Sequence, residues 1–315
     1  MRIFRHEKIE DADRGGAVAI GNFDGVHPGH QAVIAAAGGA ARALHASHAV
    51  LTFEPHPYGV FKPDAAPFRL TPFRAKARHI ETLGVDLLLA KHFDLDFAKL
   101  SAEDFVDQIL IAGLGAKHVV VGYDFVFGRG RRGDSKLLKA QGAQKGFEVS
   151  VVEAVASPGG SLYSSTRIRQ FLTGAKPREA AELLGRFWEI EGRVEHGEGH
   201  ARGLGVPTAN VPLADYLRPS PGIYAAYAGI EGEGKTDWHE AVAYLGRRAT
   251  LGAGELRLEA HLLDFSGDLL GRHLRVALVD YLRPDAVFSG VEALKAQLVR
   301  DLASTRAALA GAEYP

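Results

Sequence analysis

Two histidines three residues apart, His27 and His30, are the first side chains in this chain whose types and spacing suggest chemistry. They follow the apolar run 17–20 and the turn 21–26, and Pro28 suits the first turn of a helix. Residues at this spacing share one helix face, at the end where backbone N–H groups and the helix dipole attract anions. The imidazoles could therefore donate hydrogen bonds to a phosphate oxygen that gains charge during a transfer reaction.

Two other interpretations of this stretch stay open from the residues alone. A strand, a glycine-containing turn and a helix start form a common unit, and most such units bind no phosphate. Histidines at this spacing also occur in metal sites. No third ligand stands at an obvious spacing and the chain contains no cysteine, so we rank a zinc site low.

The composition limits the class of protein. The chain has 315 residues, of which 46% are hydrophobic and 24% charged, enough for roughly two globular domains. A net charge of −1 favours neither nucleic acid nor a membrane as a partner. The absence of cysteine excludes disulfides and thiol catalysis and is typical of the cytoplasm. The first residues do not resemble a signal peptide and no apolar run could span a bilayer, so we expect a cytoplasmic protein.

Strands alternate with helices through the first half of the chain. Short apolar runs predict buried strands at 17–20, 49–53, 85–90, 119–121 and 147–152. Helical spacing and capping residues predict helices at 30–45, 71–83, 101–113 and 134–145. Because successive strands are joined by helical crossovers, this half predicts a Rossmann-like parallel sheet.

The pattern changes near residue 185. From there, short strands separated by glycine turns are predicted at 187–195, 222–230, 239–246, 256–265 and 273–282. Helical spacing returns only after Ser289. A run of strands followed by one helix predicts a small antiparallel β-barrel with a C-terminal helix. We place the two domains at 1–184 and 185–315.

Polar stretches after predicted strands are further candidates. Residues 122–134 are rich in glycine and arginine; alone they favour a solvated loop, but their position after a strand suggests phosphate binding. The hydroxyls of 164–166 are commonly helix caps. In the second half, a strand glutamate such as Glu259 is usually solvated. The glycine-rich stretch 196–210, taken alone, is as compatible with a plain turn as with a ligand-binding loop. Period-two alternation sets Glu259 and His261 opposite the apolar positions Leu258, Ala260 and Leu262.

Taken together, these stretches resemble the bacterial bifunctional riboflavin kinase/FAD synthetases. The string Gly21-Asn-Phe-Asp-Gly-Val-His-Pro-Gly-His30 is similar to their nucleotidyltransferase signature. Two further motifs, F-G-x-x-R-x-G-D and S-S-T-x-I-R, match Phe127, Gly128, Arg131, Gly133 and Asp134, and Ser165, Thr166, Ile168 and Arg169. The kinase part is matched at 205–210, 221–224, 259–265 and 268–271. The resemblance covers nearly the whole chain and is more specific in 17–169 than in 185–301.

For the first domain, the resemblance implies transfer of AMP from ATP to FMN, which gives FAD and pyrophosphate with Mg²⁺ bridging ATP oxygens. His27 and His30 would stabilise charge on the ATP phosphates. Other implied ATP contacts are Gly21, Asn22, Phe23, Asp24, Asp124, Arg131, Ser165, Thr166 and Arg169. The implied flavin contacts are Pro55, Pro57 and Phe127. Such a transfer needs positioning and charge stabilisation more than a protein nucleophile, which suits these residue types.

For the second domain, the resemblance implies phosphorylation of riboflavin to FMN by ATP. Gly205, Thr208 and Asn210 would bind ATP, with Thr208 and Asn210 as the Mg²⁺ ligands. Glu259 would accept the proton from the ribityl 5′-hydroxyl as it attacks the γ-phosphate. The expected partners are the small molecules riboflavin, FMN and ATP, and neither nucleic acid nor a membrane.

The second half departs from the family pattern at Tyr244, Ala249 and Leu270. These departures motivate one alternative, a monofunctional FAD synthetase whose barrel binds flavin or regulates the first domain. Another alternative is a flavin-binding protein without catalysis. The first motif alone is also compatible with a pantetheine phosphate or nicotinamide mononucleotide as the substrate, but the second half disfavours both.

Overall fold

The computed structural model describes residues 1–5, 10–196, 206–246 and 256–312. The chain divides into two compact units, of which the first comprises Met1–Ala65 and Thr71–Ser164. The second comprises Ala66–Leu70 and Ser165–Pro315. The short segment Ala66–Leu70 therefore packs with the second unit although it lies in the first half of the sequence.

The first unit is built on a six-stranded, all-parallel sheet in the order β1-β4-β3-β2-β5-β6. The strands are β1 (Arg2–Arg5), β2 (Ala17–Ile20), β3 (His48–Glu54), β4 (Leu87–His92), β5 (His118–Gly122) and β6 (Glu148–Val152). The predicted parallel sheet is confirmed, with β1 as an additional edge strand. Strand order reverses between β2 and β5, and in such sheets ligands bind at that point, beyond the carboxyl ends of the strands.

Helices form a layer on each face of this sheet. They are α1 (Pro28–Leu44), α2 (Pro57–Phe61), α3 (Phe73–Glu81), α4 (Ala102–Phe105), which continues as a π-helical turn at Val106–Ile111, and α5 (Ser135–Lys145). Val50 of β3 packs in one core cluster with Ile80 of α3. Its neighbours Leu51 and Phe53 pack in another cluster with Phe105 of α4. The two clusters follow the alternation of a strand that is buried on both faces.

The second unit contains a nearly closed antiparallel barrel in the order β7-β12-β9-β10-β11-β8. Its strands are β7 (Trp188–Arg193), β8 (Ala209–Pro212), β9 (Gly222–Glu231), β10 (Thr236–Gly246), β11 (Arg257–Leu262) and β12 (His273–Arg283). A bridge joins the two ends of the order, because the Glu195 N–H donates to the Asn210 carbonyl at 2.9 Å. The predicted barrel is thus confirmed, with β8 as a strand that the sequence pattern did not predict.

Helices α6 (Ser165–Thr173), α7 (Pro177–Leu184) and α8 (Val291–Leu309) complete the second unit. The terminal helix is fixed to β12 by a two-pronged ion pair, since the Arg283 guanidinium donates to both Asp301 carboxylate oxygens at 2.9 and 2.6 Å. Leu309 inserts into a core cluster with Tyr227 of β9. This is the C-terminal helix that the sequence predicts.

The segment Ala66–Leu70 is part of the second unit through its backbone. Arg69 forms a parallel bridge with Tyr216, and its carbonyl accepts the Leu217 N–H at 2.8 Å. The buried indole of Trp188 donates to the Leu70 carbonyl, also at 2.8 Å. These bonds satisfy the N–H of the buried Trp188 indole and backbone groups of Arg69, Leu70 and Leu217, since polar groups in the interior require partners.

Candidate active sites

His27 is the N-cap residue of α1, and its Nδ1 accepts a hydrogen bond from the His30 N–H at 3.3 Å. Because Nδ1 is an acceptor, the neutral ring carries its proton on Nε2, which is a donor. The side chain is only 5% exposed. The helix start therefore fixes both the orientation and the tautomer of this imidazole.

The His27 and His30 rings are stacked, with centroids 3.7 Å apart and planes 17° from parallel. Phe23 meets His30 edge-on, at a centroid distance of 5.5 Å. A β-carbon at Gly29 would lie 3.1 Å from Cε1 and 3.2 Å from Nδ1 of His27, and 3.3 Å from Cβ of Tyr163. The glycine between the histidines therefore allows the His27 ring to lie close to the helix backbone.

Asp24 holds the turn that leads from β2 into α1. Its Oδ1 accepts the Thr71 N–H at 2.9 Å, and the Thr71 hydroxyl in turn accepts the Gly25 N–H at 2.8 Å. Phe23 and Val26 adopt φ angles of 48° and 46°, in the left-handed region that non-glycine residues rarely occupy. The Asp24 side chain is 2% exposed, so the structure shows it bracing this turn.

The other predicted residues of this turn occupy different environments. Gly21 directly follows β2, and a β-carbon there would lie 3.0 Å from the Phe23 ring. Asn22 is exposed, while its carbonyl accepts a hydrogen bond from the Thr52 hydroxyl at 3.2 Å. The turn is thus tied to the ends of two neighbouring strands, with the Asn22 side chain accessible to a ligand.

The stretch after β5 separates into an exposed part and a buried part. Asp124 is exposed beside Gly122, at which a β-carbon would lie 3.3 Å from the Asp124 Oδ1. Phe127 is buried, with its ring centroid 5.4 Å from those of both Phe105 and Phe125. Arg131 is exposed in a short helical turn and adopts a φ of 57°. Asp124 and Arg131 are therefore accessible to a ligand, whereas the ring of Phe127 packs in the core.

The proline loop after β3 carries aromatic residues that the sequence interpretation did not select. Pro55 is exposed and Pro57 begins α2. On α2, Tyr58 and Phe61 are exposed, Phe61 by 60%. Exposed rings beside prolines offer apolar faces on which a flat ring can stack. The signal in the sequence was an aromatic residue directly after Pro-His-Pro at the end of a predicted strand, with a second aromatic three residues later.

Ser165, Thr166 and Arg169 lie in the first turns of α6, within the second compact unit. The Arg169 Nε donates to the Phe68 carbonyl at 2.8 Å. The guanidinium carbon lies 5.5 Å from the centroid of the Phe68 ring. The participation of these three residues in the adenylyltransferase site stays a prediction.

In the barrel, Asn210, Glu259 and Tyr244 are direct cross-strand neighbours on β8, β11 and β10 and so share one face. The Thr208 hydroxyl donates to the Glu259 Oε2 at 3.2 Å. The structure therefore brings together the predicted residues Thr208, Asn210 and Glu259. Gly205 and Ala249 lie outside the described residues.

The strand alternation predicted around Glu259 is confirmed for its apolar side, because Leu258, Ala260 and Leu262 are all buried. Glu259 itself is 7% exposed, so it is a buried carboxylate with hydrogen-bonding partners and not a solvated residue. His261, two positions further along β11, bonds through Nδ1 to the Pro207 carbonyl at 2.9 Å. Since a carbonyl only accepts, His261 is the donor, and it ties the Thr208 segment to β11.

Two of the departures from the family pattern, Tyr244 and Leu270, lie among the described residues. The Tyr244 hydroxyl donates to Asp285 Oδ2 at 2.8 Å. The Tyr244 ring covers Gly246, where a β-carbon would overlap it. Leu270 is exposed in a turn, with its N–H bonded to the Asp268 carboxylate at 3.0 Å. Tyr244 is thus the departure that lies beside Glu259.

Both units present side chains of types that can hydrogen-bond the phosphates of a nucleotide: at a helix start after β2, and at the Thr208–Glu259 cluster. A doubly wound sheet and an antiparallel barrel with such side chains are typical of nucleotide-using transferases.

Comparisons with known proteins agree with this class. The family model for FAD synthetase matches residues 9–167, and that for riboflavin kinase matches 184–309. A protein of Escherichia coli (strain K12) named bifunctional riboflavin kinase/FMN adenylyltransferase is 39% identical over 308 residues, 97% of each chain. The Pseudomonas fluorescens protein of the same name is 43% identical over 298 residues, 93% of each chain. The chain belongs to this family and carries both its FAD synthetase and its riboflavin kinase domain.

A solved structure supports the fold over nearly the whole chain. The crystal structure of a Streptococcus pneumoniae protein described as a macrolide-efflux protein matches with a TM-score of 0.81 at 31% identity. The match covers 93% of this chain and 94% of the other. The efflux name belongs to that protein. Within the described part of this chain, no helix is long and apolar enough to cross a membrane.

Proposed function

We propose that this protein makes FAD from riboflavin in two ATP-dependent steps. The barrel domain phosphorylates riboflavin to FMN, and the parallel-sheet domain joins FMN to AMP. The observation that carries the proposal is the presence, in one chain, of both matched domains. We assign the adenylyltransferase chemistry to 1–184 and the kinase chemistry to 185–315, in the cytoplasm.

In the adenylyltransferase step, a phosphate oxygen of FMN attacks the α-phosphorus of ATP. The bond from this phosphorus to the oxygen that bridges it to the β-phosphate breaks, and pyrophosphate leaves with that electron pair. The Nε2–H of His27 and the ring of His30 hydrogen-bond phosphate oxygens as charge accumulates there. The N-terminus of α1 adds the positive end of its dipole.

The remaining residues of this site bind and orient the two substrates. The ATP contacts that we propose are Gly21, Asn22, Phe23, Asp24, Asp124, Arg131, Ser165, Thr166 and Arg169. For Asp24, the contact is indirect and runs through the turn that its carboxylate braces. The flavin contacts that we propose are Pro55, Pro57 and Phe127, with the exposed rings of Tyr58 and Phe61 as additional stacking surfaces. For Phe127, the contribution is indirect, because its ring packs against Phe105 and Phe125.

In the kinase step, the ribityl 5′-hydroxyl of riboflavin attacks the γ-phosphorus of ATP. Its proton passes to the Glu259 carboxylate, and the bond to the β–γ bridging oxygen breaks so that ADP leaves. Gly205 is proposed as an ATP contact beside Thr208 and Asn210. The buried position of Glu259, next to the Thr208 hydroxyl, supports this assignment.

The donor set of the barrel site fits a magnesium ion. Thr208 and Asn210 offer a hydroxyl and an amide oxygen, the hard ligands that Mg²⁺ accepts, and this ion usually takes few protein ligands beside phosphate oxygens and water. Among the described residues, no group of three or more His, Cys, Asp or Glu side chains is placed to hold a metal. Thr208 and Asn210 would hold Mg²⁺ together with ATP, and the ion would neutralise phosphate charge.

One observation supports a second candidate function, a monofunctional FAD synthetase. Tyr244 replaces the asparagine usual in the family beside the proposed base, and its hydroxyl is engaged by Asp285. In that case the barrel binds flavin or regulates without phosphorylating it.

Product analysis with each flavin supplied separately tests both candidates. Purified protein with riboflavin and MgATP should yield FMN and then FAD, separated by chromatography, and should yield FAD and pyrophosphate from FMN. FAD from FMN alone would favour the monofunctional enzyme. No turnover of either flavin would refute the proposed function.

A further inference from the structure

Lys76 of α3 is a fully buried lysine, with 0% of its side chain exposed. Its Nζ donates to Glu54 Oε1 at 2.9 Å and to the Thr52 hydroxyl at 3.3 Å. Both acceptors lie at the carboxyl end of β3, on the face that α3 covers. None of the chemistry assigned so far uses this ammonium group.

The contacts of Lys76 lead to two loops that are proposed to hold different substrates. The Thr52 hydroxyl, which accepts from Lys76, donates its own proton to the Asn22 carbonyl at 3.2 Å. This carbonyl belongs to the turn before the histidine pair. Glu54 is the last residue of β3 and directly precedes Pro55 of the flavin-side loop. A single buried cation is therefore bonded, directly or through one hydroxyl, to both loops.

We propose that Lys76 is a positioning residue of the FAD synthetase reaction, which holds the ATP-binding turn and the flavin-side loop in register through Thr52 and Glu54. The inference rests on the proposed function, since it concerns how the FMN phosphate is aligned with the α-phosphorus of ATP. Lys76 itself touches neither substrate in this account.

The choice of a cation at this position has a physical reason. Burying an ammonium group is costly unless it is paired and hydrogen-bonded, so it imposes a fixed direction on each of its partners. An apolar side chain of the same length would fill the space without directing Thr52 or Glu54. In-line attack is sensitive to small displacements, and a misplacement of about 1 Å can cost about 100-fold in rate.

The test compares Lys76→Met, Thr52→Val and the double variant Lys76→Met/Glu54→Gln with the wild-type protein. The double variant removes both charges, so that the Glu54 carboxylate is not left in place without the cation that it pairs with, and it keeps the test informative if the single variant is unstable. We expect kcat for FAD synthesis from FMN to fall about 100-fold in both Lys76 variants, and less in Thr52→Val. Dissociation constants of ATP and FMN, measured separately, should change little, and riboflavin phosphorylation should not change.

A matched control is Lys99→Met, which removes an exposed lysine whose Nζ bonds Asp96 at 2.7 Å, and it should leave kcat unchanged. The inference is overturned if the double variant melts like the wild type and also regains its kcat, because Lys76 would then only stabilise the fold. It is equally overturned if the loss of rate is matched by a loss of binding of each substrate alone. Absence of FAD synthesis in the wild-type protein would instead refute the proposed function itself.

Discussion

The imidazole of His27 accepts the backbone N–H of His30 and lies stacked against the ring of the same residue, 3.7 Å away between centroids. One residue is thus both the cap of α1 and a candidate for charge stabilisation. Its Nδ1 accepts from the helix backbone, so that in the neutral ring the proton is on Nε2. The two roles can be separated by substitution.

His27→Asn should separate them, because asparagine is a favourable N-cap residue but lacks the imidazole. We expect the melting temperature to be retained while kcat for FAD synthesis falls about 100- to 1000-fold. His27→Ala should lose the cap as well, at a cost of about 1 kcal/mol in the free energy of unfolding. Steady-state kinetics with FMN, and thermal unfolding, measure both effects. Wild-type kinetics in His27→Asn would show that the residue serves the helix alone.

Gly29→Ala should lower the activity without lowering the stability. Alanine favours the helix by up to about 1 kcal/mol, but its β-carbon would approach the His27 ring to 3.1 Å and displace it. We expect unchanged or higher thermal stability with a loss of about tenfold in FAD synthesis. Gly39→Ala in the same helix is the control, since its β-carbon would meet only the Arg42 side chain at 3.9 Å. If both variants kept full activity, the close approach at Gly29 would be irrelevant to catalysis.

Glu259→Gln should remove riboflavin phosphorylation and spare FAD synthesis from FMN. Glutamine keeps an oxygen that can accept from the Thr208 hydroxyl, so the local geometry should survive while the base is lost. General base catalysis contributes typically about 100- to 10,000-fold, and we expect a decrease in kcat of that order. The exposed Glu233→Gln on the same barrel is the control and should behave as the wild type. FMN production at the wild-type rate by Glu259→Gln would exclude Glu259 as the base.

The second unit should lose stability at alkaline pH because of a buried tyrosine. Burial, followed by the nearby Tyr281, raises the pKa of Tyr224 far above its usual value, while the hydroxyl donates to the Ser220 carbonyl. Above about pH 10 the unfolded chain loses this proton and the folded chain keeps it, so the free energy of unfolding decreases as pH rises. For one proton the slope approaches about 1.4 kcal/mol per pH unit.

Tryptophan fluorescence can follow this transition, because both tryptophans of the chain, Trp188 and Trp238, lie in barrel strands. Tyr224→Phe should flatten the dependence of the unfolding free energy on pH above about 10. Tyr281→Phe should flatten this dependence less. Burial also raises the pKa of Tyr281, but this side chain is more exposed than that of Tyr224. An identical alkaline slope in Tyr224→Phe would contradict the assignment.

The sequence was most informative where burial imposes a pattern. Parallel strands covered on both faces are continuous apolar runs, which is why β2 to β5 could be predicted. The edge strand β6 is partly exposed and alternates polar with apolar residues, which is the other strand pattern. The missed strands lack this signal: Arg2–Arg5 is a mostly exposed edge strand, and Ala209–Pro212 is short and ends in a proline. Their pairing depends on distant residues, which local periodicity does not contain.

The sites were predictable by residue type and spacing, but not in their supporting contacts. The histidine pair and the Thr208, Asn210 and Glu259 set came from motifs, and the structure brings the members of each together. No local pattern distinguishes Lys76 from an ordinary exposed helix lysine, because its burial depends on Thr52 and Glu54, more than 20 residues earlier.

Because Ala66–Leu70 packs with the second unit, dividing the gene between the two domains would have a structural consequence. A chain begun at residue 185 would lack the carbonyl of Leu70 that satisfies the Trp188 indole, and the main-chain pairing of Arg69 with Tyr216. It would also lack α6 and α7, from which the Thr173 carbonyl and Arg178 bond Ser220 and Asp280. If the two activities were split into separate polypeptides at that point, the kinase half would therefore lose packing and hydrogen-bond partners that its buried residues use.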